Sequence, residues 1–90
     1  MRIVWDEPKR LDTLARRGLD FARLDAEFFE NTVTTRAKEG RVRAIGRFEA
    51  TVVTVIFQPL GNEGVAVISM RKASRKERKG YEAEDPPADR

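Results

Sequence analysis

The sequence predicts an α+β fold: a small antiparallel sheet with two N-terminal helices and a C-terminal basic helix, in the order β-α-α-β-β-β-α. Three observations lead there. Two capped amphipathic segments fill residues 6–29. Three runs of strand-forming residues follow one another between Arg41 and Met70. A helix-start signature, Ser74-x-x-Glu77, comes directly after the last of them.

Ninety residues suit one domain, placed here at residues 1–82, able to bury roughly 60–70% of the surface of its unfolded chain. The chain has no cysteine and no histidine, which excludes disulfides, the common zinc ligand sets and the usual general base of hydrolases. No metal or cofactor is expected. No apolar run approaches the roughly 20 residues of a membrane span. The start, Met1-Arg2-Ile3-Val4-Trp5-Asp6, lacks a signal-peptide apolar segment, so a cytoplasmic protein is expected.

Arg2 to Trp5 reads as an opening strand, Trp5 as a packing residue. Asp6-Glu7-Pro8 starts a helix with a capping Asp, an acidic first turn and an early Pro. Leu11, Leu14 and Ala15 supply its expected apolar stripe, and Gly18 its left-handed stop. Arg16 and Arg17 in the last turn complement the helix dipole. Asp20 is expected to cap the second helix, with Leu19 and Leu24 as a hydrophobic staple and Phe21, Leu24, Phe28 and Phe29 facing the core. Asn31 to Gly40 shows no period and reads as a loop with room for a short strand.

In Arg41–Arg47, strand alternation puts Arg41, Arg43 and Arg47 with Ile45 on one side and Val42, Ala44 and Gly46 on the other. Thr51–Gln58 and Val65–Met70 are apolar on both faces, as central strands are. Pro59 to Gly64 has the composition of a hairpin loop. Residues 83–90, acidic and without hydrophobic anchors, are expected to be a disordered tail.

The strand-to-helix corner is where charge gathers. Six cations, Arg71, Lys72, Arg75, Lys76, Arg78 and Lys79, fall within nine residues, and Tyr81 closes the segment. Arg75, Arg78 and Lys79 share one side of a helix. Cations crowded into a first turn oppose the macrodipole, which suggests an anionic ligand, phosphate first. Residues 1–40 are neutral, whereas residues 41–81 carry nine Lys/Arg against three Glu. A basic half on a neutral half is the footprint of a polyanion binder.

Two signatures, Trp5-Asp6-x-x-Lys9 leading to Gly18-x-x-Phe21, and Ile68-Ser69-x-Arg71-Lys72-Ala73-x-x-x-Glu77-Arg78-x-x-Tyr81, resemble the BrnT family of type II toxins from about Ile3 to Tyr81. The resemblance implies a fold like the RelE ribonucleases and metal-independent cleavage of RNA. It also implies neutralisation by BrnA, a partner antitoxin with a ribbon-helix-helix DNA-binding region, so that DNA is met only through the antitoxin. It carries Arg71, Glu77, Arg78 and Tyr81 onto the family's C-terminal motif and Lys72 and Arg75 onto its basic positions. Arg41 falls on an arginine opening the sheet, and Trp5, Asp6 and Lys9 on the N-terminal motif. The chain departs from the family at Arg16-Arg17-Gly18, where Lys-His-Gly is common, and at Thr13, where Asn is common. The absent histidine removes one proton carrier.

The expected catalytic set is therefore Arg71, Arg78, Tyr81, Glu77 and Arg41, with Lys72, Arg75, Lys79, Arg43, Arg47 and Lys9 on RNA. Guanidinium forks match phosphate geometry and suit charge growing on its non-bridging oxygens. Tyr81 has the chemistry to stack on a base or carry a proton. Glu77 is the nearest candidate base, although the capping box already gives it a structural role. Lys9 is placed equally by solvent or site, and Asp6 reads as a cap. The alternative is a non-catalytic RNA- or ribosome-binding module using the same cations as positioning groups. Either activity is compatible with an acidic partner segment covering the basic face, or with the acidic tail shading it.

Overall fold

In the computed structural model, which describes residues 1–84, five strands form one sheet in the order β1-β5-β4-β3-β2. They are β1 (Arg2–Trp5), β2 (Val33–Arg36), β3 (Val42–Phe48), β4 (Thr51–Leu60) and β5 (Gly64–Lys72). The helices are α1 (Glu7–Arg17), α2 (Ala26–Glu30) and α3 (Arg75–Ala83), with 3-10 turns at Phe21–Arg23 and Lys38–Gly40. No helix among the described residues is long and apolar enough to cross a membrane.

The α+β class and the element order match the expectation, with refinements. The sheet is mixed, because β1 pairs parallel with β5 while the other neighbours are antiparallel. The segment read as a loop contributes the edge strand β2, in register Val33↔Ile45 to Arg36↔Val42. Helices lie on both faces of the sheet. α3 includes Ala83, one residue past the boundary drawn at 82; residues 85–90, most of the expected acidic tail, lie outside the described residues.

Alternation along the strands separates two faces. On one, Phe48, Val53, Val55, Val67 and Met70 pack under Leu19, Phe21, Leu24 and Phe28, with half-buried Trp5 and Phe29 at the margin. Phe29 meets Phe28 and Phe57 edge-to-face, with ring centroids 5.1 and 5.3 Å apart. α2 sits tightly against β3: a Cβ on Gly46 would lie 2.6 Å from Thr32 Cγ2 and 3.2 Å from Phe28 Cε1. On the other face Ile45 and Val52 pack with Ala73 and Tyr81, which brings α3 onto the sheet.

The second helix is the larger revision. Asp20 caps only the 3-10 turn, accepting from Ala22 N–H at 2.9 Å. Leu24 then adopts extended backbone, and Asp25 caps the short α2 by accepting from Phe28 N–H. The staple is thus replaced by two short turns, yet Leu19, Phe21, Leu24 and Phe28 are buried as expected.

α1 begins and ends as read, with Asp6 accepting from Lys9 N–H and Gly18 in the left-handed region at φ 70°. Its buried side is not. Leu11 and Leu14 remain 51% and 38% exposed and Ala15 is exposed, while Thr13 is buried. Charge decides the orientation. Arg10 lies inward on Glu7 (2.7 Å) and Asp20 (3.0 Å), Glu7 also accepts from Trp5 Nε1, and Arg17 donates to the Met70 carbonyl at 2.8 Å. Arg17 is therefore more than a dipole partner: β1 stops opposite Val67, and the guanidinium occupies the β5 edge just beyond. Arg16 pairs with Asp12 on the surface.

Candidate nucleic-acid interface

The corner between β5 and α3 is built by the capping box read from the sequence. Ser74 Oγ accepts from Glu77 N–H at 3.1 Å, and Glu77 Oε1 accepts from Ser74 N–H at 2.9 Å. That box holds the carboxylate over β4 and β5, where register sets Thr54 opposite Arg71. Arg71 Nη1 and Nη2 donate to Glu77 Oε1 and Oε2 at 2.8 and 2.9 Å, a two-point fork. Thr54, fully buried, donates its hydroxyl to Oε1 at 2.9 Å. Arg43 Nε lies 3.9 Å from Oε2, buried and without a hydrogen-bond partner, while Arg43 Nη1 donates to Thr35 at 3.2 Å.

Two guanidiniums thus flank one carboxylate. Hydrogen bonding from Arg71 above all, then from Ser74 N–H and Thr54, holds the Glu77 carboxyl at about 2, against the opposing effect of burial. The Arg71 pKa is raised by the same bond. Four hydrogen bonds engage this carboxylate, two from Arg71 and one each from Ser74 N–H and Thr54, so the geometry gives Glu77 a structural role at this corner. Arg71 keeps usable donors. A guanidinium has five N–H groups; Glu77 takes two, and the Lys72 carbonyl one more at 3.3 Å.

The other expected site residues divide clearly. Tyr81 is 4% exposed and packs with Ile45, Val52 and Ala73, so neither ring face is open to a base. Arg78, Arg75, Lys76 and Lys79 are exposed on α3, and Lys72 is exposed at the end of β5; none makes a salt bridge among the described residues. They form a solvated cationic ridge beside the cluster. Arg47 shares the Arg43 face but is exposed, opposite Val52. Arg41 is half-buried, 3.9 Å from Glu39. Lys9 is exposed on α1, and no hydrogen bond or ion pair ties its side chain to the cluster.

Thr54 and the edge role of Arg17 escaped the sequence reading. A lone polar residue centred in the apolar run Val52–Phe57 was the available signal for Thr54. Nothing local marks Arg17, whose acceptor lies 53 residues away.

A family model described as the ribonuclease toxin BrnT of type II toxin–antitoxin systems matches residues 5–77. The chain is also similar to the ribonuclease toxin BrnT of Brucella abortus, known from a crystal structure. The two are 49% identical with a TM-score of 0.76, covering 83% of this chain and 99% of that one. No curated protein matches. With most of its length under that family model and 49% of the aligned residues shared with a solved member, the chain belongs to the BrnT family of ribonuclease toxins of type II toxin–antitoxin systems.

Proposed function

We propose that this chain is an endoribonuclease toxin that cuts RNA by internal attack of a 2′-hydroxyl, without a metal ion, and thereby halts translation. A cognate antitoxin of the BrnA ribbon-helix-helix type neutralises it and provides its only link to DNA. The observation that carries the chemistry is the Arg71–Glu77–Arg43 cluster, two guanidiniums held on one sheet face next to an exposed cationic ridge.

The nucleophile is tethered to the phosphorus it attacks, so alignment replaces much of what a metal would supply. The 2′-oxygen bonds to phosphorus and the bond to the next nucleotide's 5′-oxygen breaks, leaving a 2′,3′-cyclic phosphate and a 5′-hydroxyl. Arg71 and Arg43 stabilise charge on the non-bridging oxygens, with Glu77 holding Arg71 in place. Arg78, Lys72, Arg75 and Lys79 grip flanking phosphates. With Glu77 engaged by Arg71, Ser74 and Thr54 and with Tyr81 buried, the 2′-hydroxyl proton passes to solvent water, and water supplies the proton taken up by the departing 5′-oxygen.

Incubation of the purified chain with RNA in a chelator tests this reading. New ends carrying 2′,3′-cyclic phosphate are expected. Intact RNA in a retarded band would instead support the non-catalytic RNA- or ribosome-binding reading.

A further inference from the structure

The sheet face that α3 covers is only half occupied. α3 packs over Ile45 and Val52. The next row across four strands is Thr35, Arg43, Ile56 and Ser69, all in register. One step further lie Gln58 and Ala66, with Val4 of β1 beside Ala66. Val4, Ile56 and Ala66 are half-buried yet belong to none of the three hydrophobic clusters. They make a small aliphatic floor with Arg43 and Arg71 along its α3 side.

We propose that this strip binds one nucleobase of single-stranded RNA next to the cut, with Ser69 as its specificity-determining residue. The inference rests on the ribonuclease reading and extends it from phosphate to base. Charge fixes the occupant's orientation: backbone phosphate lies toward Arg43, Arg71 and the α3 ridge, and the base lies over the uncharged floor. Unpaired bases present a flat apolar face and a hydrogen-bonding edge. No aromatic side chain lies in these rows, so selectivity falls to edge contacts rather than stacking. Three hydroxyls occupy this face. Thr35 accepts from Arg43 and Thr54 donates to Glu77, whereas Ser69 has no side-chain hydrogen bond among the described residues. Its half-buried hydroxyl both donates and accepts. Gln58, whose Nε2 makes only a long 3.4 Å contact to the Gly40 carbonyl, borders the same strip.

The test uses the full chain in two arms. In one, affinity is measured for four homopolymeric 2′-O-methyl oligonucleotides, which lack the attacking hydroxyl. In the other, cut ends from RNA with randomised flanks are sequenced. The wild type is expected to prefer some bases over others in both arms. Ser69→Ala should cut that preference about fivefold, the effect of one lost hydrogen bond, with total cleavage changed less than about threefold. Ser69→Thr, which keeps the hydroxyl, should retain the preference, and Arg16→Ala should leave both readouts unchanged. An unselective wild type, or undiminished selectivity in Ser69→Ala, overturns the inference. Absence of cut ends from the wild type would count against the ribonuclease reading instead, and the oligonucleotide arm would still decide the base site.

Discussion

Arg71 at the end of β5 and Glu77 in the first turn of α3 meet through two parallel hydrogen bonds of 2.8 and 2.9 Å. The same carboxylate closes the capping box and accepts from buried Thr54. One side chain therefore starts the helix, fastens it to the sheet and aims a guanidinium. It also offsets the cations that crowd the helix N-terminus against the macrodipole.

Removing that charge should destabilise the fold in a pH-dependent way. The Glu77 carboxyl sits at about 2 in the folded chain, below its ordinary value of 4.5. A depressed acid stabilises fully above the unfolded value and loses its contribution as pH falls from about 4.5 toward 2. Glu77→Gln should cost about 2 kcal/mol at pH 7, within the range for hydrogen bonds to charged groups, and much less near pH 2.5. Urea midpoints of both proteins across pH 2–7 check this. A gap that stays constant to pH 2.5 would mean that the charge is not what matters.

Tyr81 should prove to be a core residue. Its ring packs with Ile45, Val52 and Ala73. Tyr81→Phe should cleave RNA within about threefold of the wild-type rate, because the ring volume is kept. Tyr81→Ala should lose about 3–5 kcal/mol of stability through the cavity it leaves. Denaturant unfolding and single-turnover cleavage separate the two effects. A large rate loss in a stably folded Tyr81→Phe protein would return the hydroxyl to the chemistry.

Gly46 and Leu11 make opposite predictions about packing. A methyl group on Gly46 meets Thr32 at 2.6 Å, so Gly46→Ala should cost about 1–3 kcal/mol by overpacking. Leu11 is half exposed, so Leu11→Gln should change stability by no more than about 0.5 kcal/mol. Thermal unfolding of both variants suffices. A costly Leu11→Gln would show that the apolar stripe, and not Thr13, seats α1.

Local signals were readable wherever the chain talks to its near neighbours. Asp6, Gly18 and the Ser74–Glu77 box act within four residues and stand as read. Arg43, Ile45 and Arg47 fall on one side of β3 because alternation is a property of the strand itself, whereas Arg41 precedes the strand. Distant pairings were not readable. The Arg10 pairs with Glu7 and Asp20 turned α1 so that Leu11 faces water, and only strand register puts Thr54 opposite Arg71. The second helix failed on ambiguity: Asp20 and Asp25 are both good caps, and the extended backbone at Leu24 lets each start its own turn. Glu77 was legible as the closing residue of the capping box, whereas its fork with Arg71 and the burial of Tyr81 depend on how α3 seats on the sheet.

In the proposed division of labour the cluster stabilises the reacting phosphate and the ridge grips its neighbours, and single-turnover kinetics measured alongside RNA affinity separate the two roles. Arg71→Lys keeps the charge but loses the fork; its cleavage rate should fall about 100-fold, as for one lost oxyanion donor, with affinity nearly unchanged. Lys79→Ala should do the reverse, weakening binding and flattening its salt dependence while sparing the rate. An Arg71→Lys protein that cuts at the wild-type rate, or that fails only by binding RNA more weakly, would contradict it.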